Sequence, residues 1–207
     1  MTAFRFQKRA QYRVKRFLDL ITSFVLLILL SPAFLLIAAA IKVTSRGPVF
    51  YKQQRLKQNG IEFTLFKFRT MDCDAEARLD QVLHLNQASG PLFKLRMDPR
   101  VTRFGRFLRS SFLDELPQLL NVLRGDMSLV GPRPILAREA GQMEKELLFR
   151  FAVPQGITGP WQVSGHHSIT IYEQLHAERD YVGAWSLRKD LSIVVRTIPL
   201  LMRRAGL

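Results

Sequence analysis

The sequence predicts an α+β fold: a Pro-broken apolar membrane segment near the N-terminus, then a mostly helical domain with one small β-hairpin. Three observations carry this. Residues 20–41 hold no charge and are interrupted only by Ser31-Pro32. Two β-rich runs flank Asn59-Gly60. Apolar residues recur at helical spacing through much of the remainder, most clearly at Leu187, Leu191, Val194, Val195, Ile198, Leu201 and Met202.

Composition narrows the class. The 207 residues carry 31 Lys+Arg against 17 Asp+Glu, a net charge of +14, yet 47% are hydrophobic. Intrinsic disorder requires high charge together with low hydrophobicity, so it is excluded. The single cysteine, Cys73, excludes a disulfide scaffold. A basic body of this kind is drawn to an anionic partner, either nucleic acid or a phospholipid surface.

The apolar run has 22 residues, about 33 Å as a straight helix against a hydrocarbon core of about 30 Å. Pro32 removes a backbone donor and clashes with the preceding turn, so a bend or break is expected there. Each limb then reaches only about 15 Å, to mid-bilayer. Basic residues lie before the run (Lys8, Arg9, Arg13, Lys15, Arg16) and after it (Lys42, Arg46, Lys52, Arg55, Lys57). A hairpin with both ends cytoplasmic satisfies the positive-inside rule twice, whereas membrane helices also tolerate a kinked span. The residues alone leave these two readings evenly open. Ser31 is expected to satisfy a carbonyl freed by the break. A cleaved signal is disfavoured, because the run exceeds a usual h-region and contains a helix breaker.

Beyond the run, the Asn59-Gly60 pair predicts a hairpin between residues 49–55 and 61–69. Alternation within 61–69 predicts one apolar face and one basic face, the latter bearing Lys67 and Arg69. Residues 72–87 read as a charged helix, and 104–123 as a helix interrupted near Asp114. Residues 126–134 read as a Gly/Pro loop, 135–151 as an amphipathic helix, and 154–161 as a turn. Helices return over 171–181 and 187–204. The last carries Arg188, Lys189, Arg196, Arg203 and Arg204 beside its apolar stripe, so core packing and an interfacial position are both open. The division expected is residues 1–46, a basic segment with the membrane helix, and residues 47–207, a second domain.

Asp114-Glu115 precede Pro117, which a helix accepts only in its first turn. Asp114 is thus expected at or near a helix N-cap. Capping and dipole matching account for both acids in a purely structural reading. The same geometry suits a phosphate, Mg²⁺ ligation by a carboxylate, or an aspartyl nucleophile on phosphorus. Arg109, five residues earlier, would neutralise phosphoryl oxygens. Arg133 in Gly131-Pro-Arg-Pro134 is held by two prolines, which lowers the entropy cost of presenting it to an anion. Lys67 and Arg69 read equally as solvated charges or phosphate ligands. His166-His167 lacks a spaced third zinc ligand. No recognition-helix, zinc-finger or ribonucleoprotein signature supports nucleic-acid binding, so no nucleic-acid partner is expected.

Taken in order, the motifs resemble the bacterial polyprenyl-phosphate phosphoglycosyl transferases, which initiate exopolysaccharide, capsule, O-antigen or glycoprotein glycan assembly. They are Lys15-Arg-Phe-Leu-Asp19, Ser31-Pro32, Gly47-Pro-Val-Phe50, Phe66-Lys-Phe-Arg-Thr-Met71, Asp98-Pro-Arg-Val-Thr102 and Leu113-Asp-Glu-Leu-Pro-Gln-Leu119. Further on come Asn121-Val-Leu, Gly125-Asp-Met-Ser128, Gly131-Pro-Arg-Pro134, Pro154, Gly156-Ile-Thr-Gly159 and Trp161-Gln-Val. The resemblance spans about residues 14–204 and fits the small monotopic catalytic-core form.

The resemblance implies a re-entrant helix broken at Ser31-Pro32, at the bacterial inner membrane, with the catalytic domain and interfacial amphipathic helices on the cytoplasmic face. It implies a ping-pong transfer of sugar-1-phosphate from a nucleotide-sugar donor, typically a UDP-sugar, to polyprenyl phosphate. Asp114 would be the nucleophile and Mg²⁺ ligand, and Glu115 its dyad partner. Arg109 and Arg133 would bind phosphate, with Lys67 and Arg69 as further candidates. Asp190 also matches and is kept as a site candidate. Membrane lipids are an expected partner, and a homo-oligomer is admitted. The chain departs from the family at His166, where an arginine is frequent, and the transferred sugar is not encoded legibly. The competing reading is a non-enzymatic basic scaffold anchored to the membrane.

Overall fold

The computed structural model describes residues 2–87, 95, 97–142, 145–164 and 171–202. The expectations for Gly165, His166, His167, Arg203 and Arg204 fall outside them. Helix α1 (Thr2–Leu29) and helix α2 (Ser31–Thr44) meet at the predicted break, bent by 61°. Pro32 lies in the first turn of α2, where its missing N–H costs nothing. Ser31 Oγ donates to the Ile28 carbonyl at 2.8 Å, as expected of a hydroxyl at the helix break. Among the described residues no single helix is long and apolar enough to cross a membrane, while the bent pair meets the criterion together.

Helix α1 is amphipathic with its polarity reversed. Phe17, Leu18, Ile21, Phe24, Val25 and Ile28 are exposed, whereas Lys15, Asp19 and Ser23 are buried. The reason lies in what α1 packs against. Helix α4 (Gln118–Arg124) ends on carbonyls short of i→i+4 partners. Arg16 donates to that of Val122, which also accepts the N–H of the C-cap Gly125, and, at 2.9 Å, to that of Leu123. Asp19 accepts the backbone N–H of Leu129 at 3.1 Å. Lys15 Nζ donates to the Val130 carbonyl at 2.9 Å and to Asp190 at 2.7 Å. Lys15 and Arg16, which the sequence places among the basic membrane flanks, thus turn into the protein.

Strands β1 (Phe50–Leu56) and β2 (Glu62–Phe68) pair antiparallel, with Phe50 opposite Phe68 and Leu56 opposite Glu62. Asn59 and Gly60 adopt left-handed backbone, φ 63° and 71°, which is why this pair suits the turn. The expected split into an apolar and a basic face is corrected. Phe63 and Leu65 pack with Val122 and Met127 on the face that carries Lys67. Phe68, on the other face, packs with Ile37, Ile41 and Leu108. Both faces are covered because α2 and α4 flank the hairpin.

Two further helix expectations are corrected. Residues 73–82 form successive turns, followed by a 3₁₀ turn at Leu83–Leu85. Arg100 takes the Ala75 carbonyl at 3.0 Å, diverting an acceptor that a helix would use, while Arg78 pairs with Asp72 and Asp74, each at 2.9 Å. Within 135–151 the described residues form helix α5 (Ala137–Gly141) and a 3₁₀ stretch (Lys145–Ala152). Gln155 occupies the Arg150 carbonyl there at 2.9 Å.

The expected loop and turn contain short strands β3 (Ser128–Val130) and β4 (Gly156–Thr158), paired parallel. The chains approach so closely that a Cβ on Gly131 would sit 2.2 Å from the Pro154 carbonyl oxygen. Helix α3 (Arg103–Ser110) and α4 confirm an interrupted helix around Asp114. Helices α6 (Ile171–Gly183) and α7 (Leu187–Met202) close the chain. In α7 the stripe Leu191, Val194, Val195, Ile198, Leu201 and Met202 is exposed, while Asp190 and Ile193 are buried, so this apolar stripe is not core.

Removing one partner of a buried ion pair leaves an uncompensated charge. Lys15→Met is expected to cost about 3 kcal/mol and lower Tm by roughly 10 °C in a chain of this length. The double variant Lys15→Met/Asp190→Asn should recover part of the loss. Thermal unfolding in detergent checks this, and an unchanged Tm for Lys15→Met would contradict the docking role.

Candidate functional site

Asp114 and Glu115 lie on a 3₁₀ turn (Leu113–Glu115) between α3 and α4. Phe112 precedes them at φ 58°, an uncommon conformation for an aromatic residue, which ends α3 and redirects the chain. Pro117 is the N-cap of α4 and receives no side-chain cap hydrogen bond. The expectation that Asp114 sits near a helix start is met, but it does not cap α4.

Four elements converge on these acids. Lys67, near the end of β2, donates to Glu115 at 2.7 Å and lies 3.9 Å from Asp114 Oδ2. Arg133, in the loop after β3, donates from Nη2 to the same Glu115 Oε1 at 3.0 Å. Its side chain remains 37% exposed, so it still faces solvent. Arg109, in the last turn of α3, donates to Thr70 Oγ1 at 2.9 Å and feels the charge of Asp114. Asn121 sets the register between strand and turn. It accepts the N–H of Phe66 at 3.0 Å and donates to the Thr64 carbonyl at 2.7 Å, fixing α4 to β2.

The two carboxylates are held differently. Glu115 is bound by both cations. Burial pushes its pKa up, but Arg133 and Lys67 outweigh this and hold it below the usual range. Asp114 is 6% exposed, and its carboxylate accepts no side-chain hydrogen bond among the described residues. Burial raises its pKa, assisted by the Glu115 charge and opposed chiefly by Lys67. Adjacent carboxylates pushed in opposite directions are a common basis for separate chemical roles.

A cleft of about 1700 Å³ is lined by Lys67, Arg69, Arg109, Asp114, Glu115 and Arg133 together. It extends to Thr22 and Leu26 of α1 and to Ile198 and Leu201 of α7. Arg69 is less available than the others, since it donates to the Ser45 carbonyl at 3.0 Å and Ser45 Oγ at 2.7 Å, tying down the end of α2. Asp190 lies outside the cleft lining, bonded to Lys15, Tyr181 and Trp185. Among the described residues no group of three or more His, Cys, Asp or Glu forms a metal cluster. Mg²⁺ needs fewer, because it usually takes one or two carboxylates plus water and substrate phosphate. Asp114, whose carboxylate accepts no side-chain hydrogen bond among the described residues, fits that requirement.

Residues 10–204 match the family described as bacterial sugar transferase. The chain belongs to that family. The exopolysaccharide production protein ExoY of Rhizobium meliloti is 40% identical over 196 residues, covering 93% of this chain and 87% of the relative. The undecaprenyl-phosphate galactose phosphotransferase of Salmonella typhimurium is 39% identical, covering 96% and 42% respectively. The UDP-glucose:undecaprenyl-phosphate glucose-1-phosphate transferase of Caulobacter vibrioides is 41% identical, covering 91% and 69%. The chain therefore spans most of one relative and less than half of another. The resemblance read from the motifs is upheld, and with it the expectation of an enzyme.

Within this sugar transferase, sequence reasoning assigned no role to Asn121, Thr70 or Phe112. The first two fall inside quoted motifs, and a polar Asn between apolar helix neighbours was the available signal. Nothing local marks Phe112.

Lys67 is the main influence holding the Asp114 pKa down, so Lys67→Met should raise it further. If deprotonated Asp114 is required, the acid limb of the kcat/KM–pH profile should move to higher pH in the variant. A limb that stays in place, or moves to lower pH, would separate Lys67 from Asp114 ionisation.

Proposed function

We propose that this chain transfers sugar-1-phosphate from a nucleotide-activated sugar, a UDP-sugar, to polyprenyl phosphate. The observation that carries the reading is a nearly buried aspartate whose carboxylate accepts no side-chain hydrogen bond among the described residues, with the charges of Lys67, Arg109 and Arg133 acting on it, in a cleft that runs on to exposed apolar helices. The names of the Salmonella and Caulobacter relatives state transfers of this kind for those proteins.

In the first step an Asp114 oxygen attacks the phosphorus that bears the sugar. The bond from that phosphorus to the bridging oxygen breaks, and UMP departs with the electron pair. In the second step a polyprenyl-phosphate oxygen attacks the same phosphorus. The Asp114 O–P bond breaks, giving polyprenyl-diphosphate-sugar and free Asp114. Charge accumulates on phosphoryl oxygens in both steps, and Arg109, Arg133 and Lys67 offset it. Mg²⁺, held by Asp114, would supply further neutralisation of the diphosphate. Glu115 keeps Lys67 and Arg133 beside the reacting carboxylate.

The acceptor phosphate sits at headgroup depth, so the site must lie there too. A re-entrant α1–α2 hairpin, with both ends on the cytoplasmic face of the bacterial inner membrane, and an interfacial α7 accomplish this. The exposed apolar faces of α1 and α7 and the 61° bend support the arrangement.

Purified protein with Mg²⁺, polyprenyl phosphate and a panel of UDP-sugars should release UMP, and chelation should stop it. If the folded protein releases UMP from none of them, the reading fails. Asp114→Asn should lower turnover by on the order of 10³-fold or more. For topology, single cysteines at Arg5 and Lys52 in a Cys73→Ser background should both label from the cytoplasmic side. Labelling from opposite sides would rule out the hairpin.

A further inference from the structure

Arg133 reaches Glu115 from a loop that is poorly able to hold itself. Pro132 and Pro134 carry no N–H, so the loop has fewer backbone donors with which to build a ladder. Gly131 and Pro132 are secured by β4, through Gly131 N to the Thr158 carbonyl at 3.0 Å and Gly156 N to the Pro132 carbonyl at 2.9 Å. The next two carbonyls are each held by a guanidinium from a distant element. Arg150 Nη2 donates to the Arg133 carbonyl at 2.8 Å. Arg55 Nη1, on β1, donates to the Pro134 carbonyl at 3.1 Å.

Arg150 is buried, and a buried cation needs a counter-charge. Glu178 of α6 provides it at 3.0 Å, with the two side chains 4% and 2% exposed. The same Nη2 atom thus bridges Glu178 and the Arg133 carbonyl. Gln155 holds Arg150 in turn through the Arg150 carbonyl, at 2.9 Å. Neither Arg150 nor Glu178 touches Asp114 or Glu115 in any hydrogen bond or ion pair of the described residues.

We propose that Arg150 and Glu178 are positioning residues. Their ion pair fixes the Arg133–Pro134 peptide, and through it the guanidinium that binds the phosphate of the sugar nucleotide. Arg150 itself lines the cleft, but its side chain is nearly buried and its Nη2 is spent on Glu178 and the Arg133 carbonyl. An anion contact tolerates little displacement, so loosening that peptide weakens donor binding through Arg133. The inference rests on the reading of Arg133 as a phosphate ligand.

A double-variant cycle on the full chain, assayed as UMP release, tests it. Arg150→Gln should raise the KM for the UDP-sugar roughly tenfold with a smaller change in kcat. In an Arg133→Ala background the same substitution should change KM by less than about twofold, because its effect passes through Arg133. Equal effects in both backgrounds would make the ion pair a general structural feature and overturn the proposal. An Arg133→Ala variant with unaltered KM would instead remove Arg133 as a phosphate ligand. Should Arg150→Gln fail to fold, Glu178→Gln and Arg150→Lys carry the same cycle. Arg150→Lys keeps a charge for Glu178, and a KM restored toward wild type by it supports the positioning role.

Discussion

Glu115 accepts from Lys67 and Arg133 at one oxygen, and much of the molecule is arranged to make that junction. Three segments distant in sequence must bring their charges together: the end of β2, the 3₁₀ turn before α4, and the loop after β3. A carboxylate satisfied by two cations is stable when nearly buried, where an unpaired one would be costly. Because Glu115 absorbs these donors, Asp114 beside it accepts none of their hydrogen bonds. The division between an anchoring acid and an available acid follows from that geometry, although the two residues are adjacent and chemically similar.

Holding the junction requires the surrounding frame. Asn121 joins α4 to β2, the parallel β3–β4 pair fixes the start of the Arg133 loop, and the α1 charges lock onto the C-terminus of α4 and onto β3. The reversed polarity of α1 serves two ends at once. Its polar residues satisfy carbonyls and charges inside the domain, which leaves its apolar residues facing outward. Helix α7 does likewise, with Asp190 inward and its apolar stripe outward. The cleft reaches both helices, so the cluster of Lys67, Arg109 and Arg133 and an apolar surface share one cavity.

Local signals made several elements legible. Asn59-Gly60 tolerates left-handed backbone and specified the hairpin, Pro32 specified the break, and Pro117 placed a helix start just after the acids. Other elements were misread because their local pattern was ambiguous and distant groups settled it. Residues 73–82 have helical composition, yet Arg100 claims the Ala75 carbonyl, an acceptor that a helix needs. β3 and β4 are three residues each, too short for periodicity, and their pairing spans more than twenty residues of intervening chain. Lys15 and Arg16 look like membrane flanks in any linear reading, since nothing local says that a helix end and a buried aspartate await them.

The sequence by itself determined the family, the broken apolar helix, the hairpin and the identity of the charged groups, because motifs, proline and glycine act through covalent geometry and local backbone preference. It named Lys67, Asp114, Glu115, Arg109 and Arg133, which the fold gathers around one cleft. Only the tertiary structure decided how they divide the work. It ties Arg69 to the end of α2, sets Asp190 against Lys15, and gives Glu115 rather than Asp114 the two close cations. Those outcomes depend on distances and desolvation among residues far apart in the chain, and neither quantity has a local signature.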